Sequence, residues 1–289
     1  MLLAQLLVTG LAIGSIYALV AFGYSLTWAT SRTVNFALGQ VVMLGAVLGY
    51  LFVVTLGLPL PLAVLAVIPP VVLLALGTER FAVRPFRATP LTWLMSTIAL
   101  GIILENGALL TFGKDARTLP SPLAERPIQF VGAGVYPQEL LIPLVSLGLV
   151  GLVGLMYRRT LLGRMMRATA FDPEAAGVVG IDVDRMIALS YVLSSVLAAL
   201  AGILIAPVTF VSATMGTVLG LKSFAVAIIG SLTSPLGILL AGLLFGVFEQ
   251  LIAGLVGTGA RDAGGFGLAI LVLLLRPGGL LGGAALRRV

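Results

Sequence analysis

The sequence predicts an all-α fold, a polytopic bundle of membrane-spanning helices with about nine segments and eight to ten allowed. Three observations carry that prediction. Of 289 residues, 60% are hydrophobic and only 10% are charged, against roughly 25% charged in an ordinary soluble domain. Mean hydropathy is +1.17. Long uncharged runs recur: no charge precedes Arg32, and none lies between Arg32 and Glu79. A soluble fold of this size cannot cover its surface with so few charges.

Each segment follows from the length a span requires, about 20 apolar residues for ~30 Å of hydrocarbon. The first occupies roughly 5–27. It has no basic residue before Arg32 and outlasts an ordinary signal-peptide core, so it reads as a retained span. The 46 uncharged residues that follow Arg32 hold two spans, divided at Gly57-Leu58-Pro59-Leu60-Pro61. Further windows run near 92–112, 140–157, 186–207, 214–231, 235–256 and 263–282. The window 214–231 contains Lys222 and several glycines, which marks it as a candidate broken or re-entrant helix.

The whole chain, 1–289, reads as one transmembrane domain with two loops long enough to act. The segment 113–139 carries six charges that cancel and four prolines, and is expected to be an ordered external loop. The segment 158–185 is placed in the cytoplasm. With nine alternating spans, twelve basic residues then fall inside, among them Arg80, Arg84, Arg87, Arg158, Arg164, Arg167, Arg276, Arg287 and Arg288. Four fall outside: Lys114, Arg117, Arg126 and Arg261. This is the positive-inside pattern, with the N-terminus outside and the C-terminus inside. The net charge of +6 is read as topology and lipid contact, with no nucleic-acid partner.

Composition excludes several chemistries. With no cysteine and no histidine, thiol nucleophiles, disulfides, iron–sulfur clusters, Ser-His-Asp catalysis and histidine-ligated metals are unavailable. Gly216 to Ser223 is the nearest approach to a phosphate loop, but Leu221 stands where a glycine must precede the lysine. No cofactor is expected on this chain. No catalytic constellation appears, so an enzyme is not expected.

Polar residues inside apolar runs are costly and therefore informative. Asn35 and Gln40 open the second span, Glu105 and Asn106 lie in the fourth, and Lys222, Ser223 and Glu249 lie in the later ones. They are either neutralised in pairs or line a polar pathway, with Lys222 and Glu249 a candidate pair. Small-xxx-small pairs recur at Gly10 and Gly14, Gly45 and Gly49, Gly216 and Gly220, and Gly242 and Gly246. Such pairs let helix backbones approach closely in lipid.

The strongest local signal lies in the cytoplasmic segment. Asp172, Pro173 and Glu174 form a helix start: an N-cap, a proline at N1 and an acid at the positive dipole end. Ala175, Ala176, Gly177, Val178 and Val179 follow, and Gly180 closes about two turns. A helix this short is not stable alone, so flanking spans or a partner must hold it. Ala175, Ala176 and Gly177 are expected to supply its small contact surface.

These residues resemble a known family. Gly14-Ser15-Ile16-Tyr17-Ala18-Leu19, Val34-Asn35-Phe36-Ala37-Leu38-Gly39-Gln40, Met43-Leu44-Gly45-Ala46 and Gly177-Val178-Val179-Gly180-Ile181-Asp182 are similar to the permease subunits of branched-chain amino-acid ABC importers, the LivH/LivM type, and closer to LivH. Ala201-Gly202-Ile203-Leu204, Gly220-Leu221-Lys222-Ser223-Phe224 and Leu275-Arg276-Pro277-Gly278-Gly279-Leu280 continue the likeness in family order. Where the family often carries a histidine and an acid in its Asn-Phe-Ala-x-Gly stretch, this chain has Leu38 and Gln40.

The resemblance implies a multi-pass permease of a bacterial inner membrane. It implies a second permease subunit (LivM-like or a second copy), two ABC ATPases that use ATP, and a periplasmic substrate-binding protein. Asp172 to Gly180 would be the helix that couples to the ATPase. The competing reading is a self-contained secondary transporter or channel for small polar solutes. That class usually shows two repeated halves, and no repeat is visible here.

Overall fold

The computed structural model of the chain describes residues 2–87, 89–130, 133–276 and 278–281. Pro277, Gly282, Arg287 and Arg288, which enter the expectations above, lie outside them. Among the described residues, eight helices are long and apolar enough to cross a membrane, and one further apolar helix is shorter. The chain is a multi-pass, all-α membrane protein.

Helix α1 (Leu2–Ser31) forms the centre. It is buried almost continuously from Gly10 to Thr27, because other helices cover it on every side. Helix α2 (Leu38–Tyr50) gains span length through a π-helical turn, Leu51–Thr55. The chain then reverses at Gly57, whose φ is +66°, and Pro59 leads into α3 (Leu60–Gly77). The expected proline-glycine break is therefore present.

The end of α3 differs from expectation. Glu79 and Arg80 do not stop the helix, which continues through a π-helical stretch, Thr78–Val83, and a 3₁₀ turn, Arg84–Phe86. Glu79 is buried there and ion-paired with Arg87, which neutralises it. A charge that finds a partner does not have to leave the helix.

Helix α4 (Pro90–Thr111) leads to the ordered loop before α5 (Pro137–Arg159). The loop contains a 3₁₀ turn, Pro122–Ala124, and a small antiparallel hairpin of β1 (Ile128–Phe130) and β2 (Ala133–Val135), with Ile128 opposite Val135. Arg117 pairs backbone to backbone with Val211, which ties the loop to the bundle. Two short helices follow, α6 (Leu161–Phe171) and α7 (Pro173–Val178). The last four are α8 (Val183–Ile205), α9 (Met215–Gly230), α10 (Pro235–Leu255) and α11 (Arg261–Leu275).

Helix α9 is one unbroken helix of 16 residues, about 24 Å at 1.5 Å per residue. The linker before it meets the loop 113–136 through Val211, and its last residue, Gly230, packs on Gly237 and Ile238 at the start of α10. Its two ends thus lie at opposite ends of the bundle. The same alternation holds elsewhere. At one end Thr9 of α1 bonds to Glu139 of α5, and the neighbouring Gln138 bonds to the Leu204 carbonyl of α8. Thr30, Thr33, Ser190 and Tyr191 meet at the other. Among the described residues the path thus runs through eight long apolar helices and the shorter α9.

Glycines set the close approaches. Gly10 and Gly14 of α1 lie against the backbone of Gly242, Gly246 and Val247 of α10, leaving no space for a Cβ. Gly216 and Gly220 of α9 meet Gly39 of α2, while Gly45 meets Ala199 and Gly49 meets Ile203 of α8. All four small-xxx-small pairs pack within this chain, as the costs of helix association in lipid favour.

Candidate functional site

The segment after α5 is built by three caps. Thr160 Oγ1 accepts from Gly163 N at 3.0 Å and starts α6. Asp172 Oδ1 accepts from Glu174 N and Ala175 N, both at 3.0 Å, and starts α7. Asp182 Oδ1 accepts from Arg185 N at 3.0 Å and starts α8. Each satisfies backbone donors that the first helical turn leaves free. Gly180, with φ +86°, ends the α7 region, and Ile181 N returns to Ala176 O. The expected cap, proline and glycine all stand as read, although the helix is six residues long.

Two features there escaped the sequence. The first is α6, whose arginines entered only the topology count although Leu161, Leu162, Met165 and Met166 already show helical spacing. The second is which side of α7 faces out. Ala176, expected on the contact surface, is 3% exposed and packs inward. Val178 and Val179, at 89% and 74%, are the residues that project. Phe171 is exposed beside them.

A charged latch joins α3 to α8 near this segment. Arg87 Nη1 lies 2.9 Å from Asp184 Oδ1, Arg84 also pairs with Asp184, and Arg87 pairs with Glu79. Burial pulls the Arg87 guanidinium below its ordinary pKa, against the carboxylate of Glu79, which raises it. These arginines were counted for topology, and no sequence signal named Asp184 as their partner.

Within the bundle, the structure brings Lys222 and Glu249 together as a buried ion pair. Lys222 Nζ also reaches Asp262 Oδ1 at 2.7 Å. Glu249 Oε2 accepts from Tyr17 Oη at 2.8 Å and lies 3.3 Å from Arg261 Nη2. Two acids and two bases from α9, α10 and α11 thus cancel, and the Tyr17 hydroxyl of α1 completes the bonding. Buried charges are tolerable only when paired and hydrogen-bonded. Arg261 and Asp262 were the missed members, and their position beside an apolar run was the available signal.

A second polar group lies where α1, α2, α4 and α9 enclose a cavity of about 400 Å³. Glu105 Oε2 accepts from Gln40 Nε2 at 2.8 Å and from Thr217 Oγ1 at 2.6 Å. Tyr24, Phe36, Ile102 and Phe224 supply the apolar wall. Among the described residues, no cation pairs with Glu105 and none lines this cavity. Gln40 and Glu105, predicted separately, are therefore brought together, with Thr217 the unpredicted third member.

The remaining candidates do not join either group. Asn35 is buried, and its Oδ1 accepts from Ala37 N at 3.1 Å, a local turn that opens α2. Asn106 is exposed on α4 and its side chain bonds back to Ile102 O at 2.8 Å. Ser223 is buried, with no partner for its hydroxyl among the described residues. Among the described residues, no cluster of acids suits a metal ion.

Residues 6–275 match the family model described as "Branched-chain amino acid transport system / permease component". The chain is 35% identical to the high-affinity branched-chain amino acid transport system permease protein BraD of Pseudomonas aeruginosa, covering 99% of this chain and 97% of that one. It is 31% identical to the LivH permease protein of the same description from Escherichia coli (strain K12), with the same coverage. A solved structure, PsaBC from Streptococcus pneumoniae in complex with Fab, aligns with a TM-score of 0.50 at 14% identity over 96% of this chain and 92% of that one, a likeness of fold alone. With a family match and relatives that span almost its full length, the chain belongs to the family of permease components of branched-chain amino acid transport systems.

Proposed function

We propose that this chain is one permease subunit of an ATP-driven importer in a bacterial inner membrane, carrying branched-chain or related hydrophobic amino acids handed over by a periplasmic binding protein. A second permease, LivM-like or a further copy, would complete the membrane pathway, and two ABC ATPases would bind below it. The names of the relatives support the cargo. The basic-residue asymmetry supports a cytoplasmic position for 158–185. The polar group of Gln40, Glu105 and Thr217 is the proposed solute-facing part of this chain.

The single observation that carries the coupling role is α7. It is a capped helix, pinned by Ala176 and joined to α8 by only four residues, and it projects Val178 and Val179 outside the spans. Large exposed apolar side chains at a membrane protein's aqueous end mark a docking surface. ATP belongs to the partners in this reading. Lys222, the lysine of the partial phosphate-loop pattern, is buried within α9 and committed to Glu249 and Asp262.

The test is co-purification with the cognate ATPases, together with leucine uptake into proteoliposomes holding the whole importer. Val178→Asp and Gly177→Trp should fold normally, because both positions are exposed, yet lose ATPase association and ATP-dependent uptake. Wild-type association and uptake in both variants would return α7 to a plain surface helix. Uptake by the chain without ATPases or ATP would instead favour a self-contained carrier.

A further inference from the structure

Beside the segment that precedes α7, the ends of α1, α5 and α6 and the turn before α10 enclose a cavity of about 650 Å³ that neither polar group above uses. Arg32, Arg158 and Arg167 line it from three different elements. Among the described residues none of the three has a carboxylate within ion-pair distance, and no acidic residue lines the cavity. Tyr157 also lines it, with a buried hydroxyl that has no hydrogen-bond partner among the described residues. The remaining wall is largely apolar, with Phe22 and Leu26 of α1, Val150 and Leu155 of α5, and Leu236 of α10.

We propose that this cavity is a binding site for one anionic phospholipid, with its phosphate held by Arg32, Arg158 and Arg167 and by the Tyr157 hydroxyl. Three arginines around one cavity, with no acid lining it among the described residues, make it attractive to an anion, and guanidinium forks match phosphate oxygens. Tyr157 supplies a neutral donor that a phosphate oxygen satisfies. The amphipathic lining selects the source of that phosphate. A free anion has no use for the exposed Leu155, whereas an acyl chain covers it and continues along the exposed Leu236, Leu240 and Leu244 of α10. The depth agrees, since Arg158 lies in the last turn of the 23-residue apolar helix α5, at the level where basic pockets between spans meet headgroups.

Arg32 adds a separate observation. It occupies the left-handed region, with φ +55°, directly after the last residue of α1, a place that glycine fills at no steric cost. A non-glycine residue in that conformation is uncommon, and such residues cluster at ligand clamps and switch regions.

The test uses the full chain in detergent, read by native mass spectrometry and by thermal unfolding. Phosphatidylglycerol is the probe, with phosphatidylcholine and inorganic phosphate as the other arms. The wild type should retain one phosphatidylglycerol and gain thermal stability saturably, with neither control reproducing the effect. Arg158→Gln and Arg167→Gln should weaken that binding tenfold or more each. Arg32→Gly should keep or raise the lipid-free unfolding temperature while losing the gain from lipid. Should the arginine variants fail to fold, Tyr157→Phe preserves the packing and should still weaken retention severalfold. Equal retention of phosphatidylcholine, equal protection by inorganic phosphate, or variants that bind like wild type would each overturn the proposal.

Discussion

Gly202 of α8 lies against the carbonyl oxygen of Val42 of α2 so closely that a Cβ on Gly202 would overlap it. Two backbones meet there, and neither can yield by changing a rotamer. Gly202→Ala should therefore lower the thermal midpoint of the purified chain, by the equivalent of about 1–3 kcal/mol for an overpacked site. Gly107→Ala, where nothing lies within 4 Å of the added Cβ, is the control and should be neutral or slightly stabilising. Equal behaviour of the two variants would remove the close approach of α2 and α8 from the account.

Lys222 and Glu249 should behave as a unit. Lys222→Met leaves a fully buried carboxylate short of its main partner, and Glu249→Leu leaves a buried ammonium with only Asp262. Breaking a buried pair in this way costs about 3–5 kcal/mol. The double variant Lys222→Met, Glu249→Leu removes both charges and should recover a large part of that loss. A double-mutant cycle on thermal unfolding checks it, and purely additive losses would show that the two residues are not coupled.

Glu105 should matter for transport and little for assembly. Glu105→Gln preserves shape but removes the charge that Gln40 and Thr217 hold in place. Glu105 is the one charged side chain that lines this cavity among the described residues, so leucine uptake by the assembled importer should fall roughly tenfold, the equivalent of about 1.4 kcal/mol. Asn106→Ala, one residue away and exposed, should transport normally. Uptake at the wild-type rate in Glu105→Gln would make the cavity incidental.

Orientation is open to direct labelling, because the chain has no cysteine. Glu125→Cys lies in the loop before α5, and Phe171→Cys lies at the end of α6, both exposed. In intact cells an impermeant maleimide should label the first and not the second. The reverse pattern would invert the proposed topology. Thr169 is unsuitable as a reporter, since it is fully buried against the bundle.

The sequence by itself determined whatever depends on local chemistry or on length. Apolar run length placed the spans, because a helix must bridge a fixed thickness of hydrocarbon. Pro59 and Gly57 placed the turn between the second and third helices, and Asp172, Pro173 and Gly180 placed α7, because caps and φ restraints act within a few residues. The recurring glycine pairs announced close helix contacts without naming the partners.

The tertiary structure decided what depends on which faces meet. It put Lys222 beside Glu249 and added Tyr17, Arg261 and Asp262, residues far apart in the chain. It joined Gln40 and Glu105 through Thr217, and set Asn35 and Asn106 apart from them. It turned Ala176 inward and left Val178 outside. In a chain where nearly every helix is apolar on all sides, hydropathy carries little record of which side faces the interior. Backbone proximity at glycines and the pairing of a few costly charges settle it instead, and both exist only once the helices are packed.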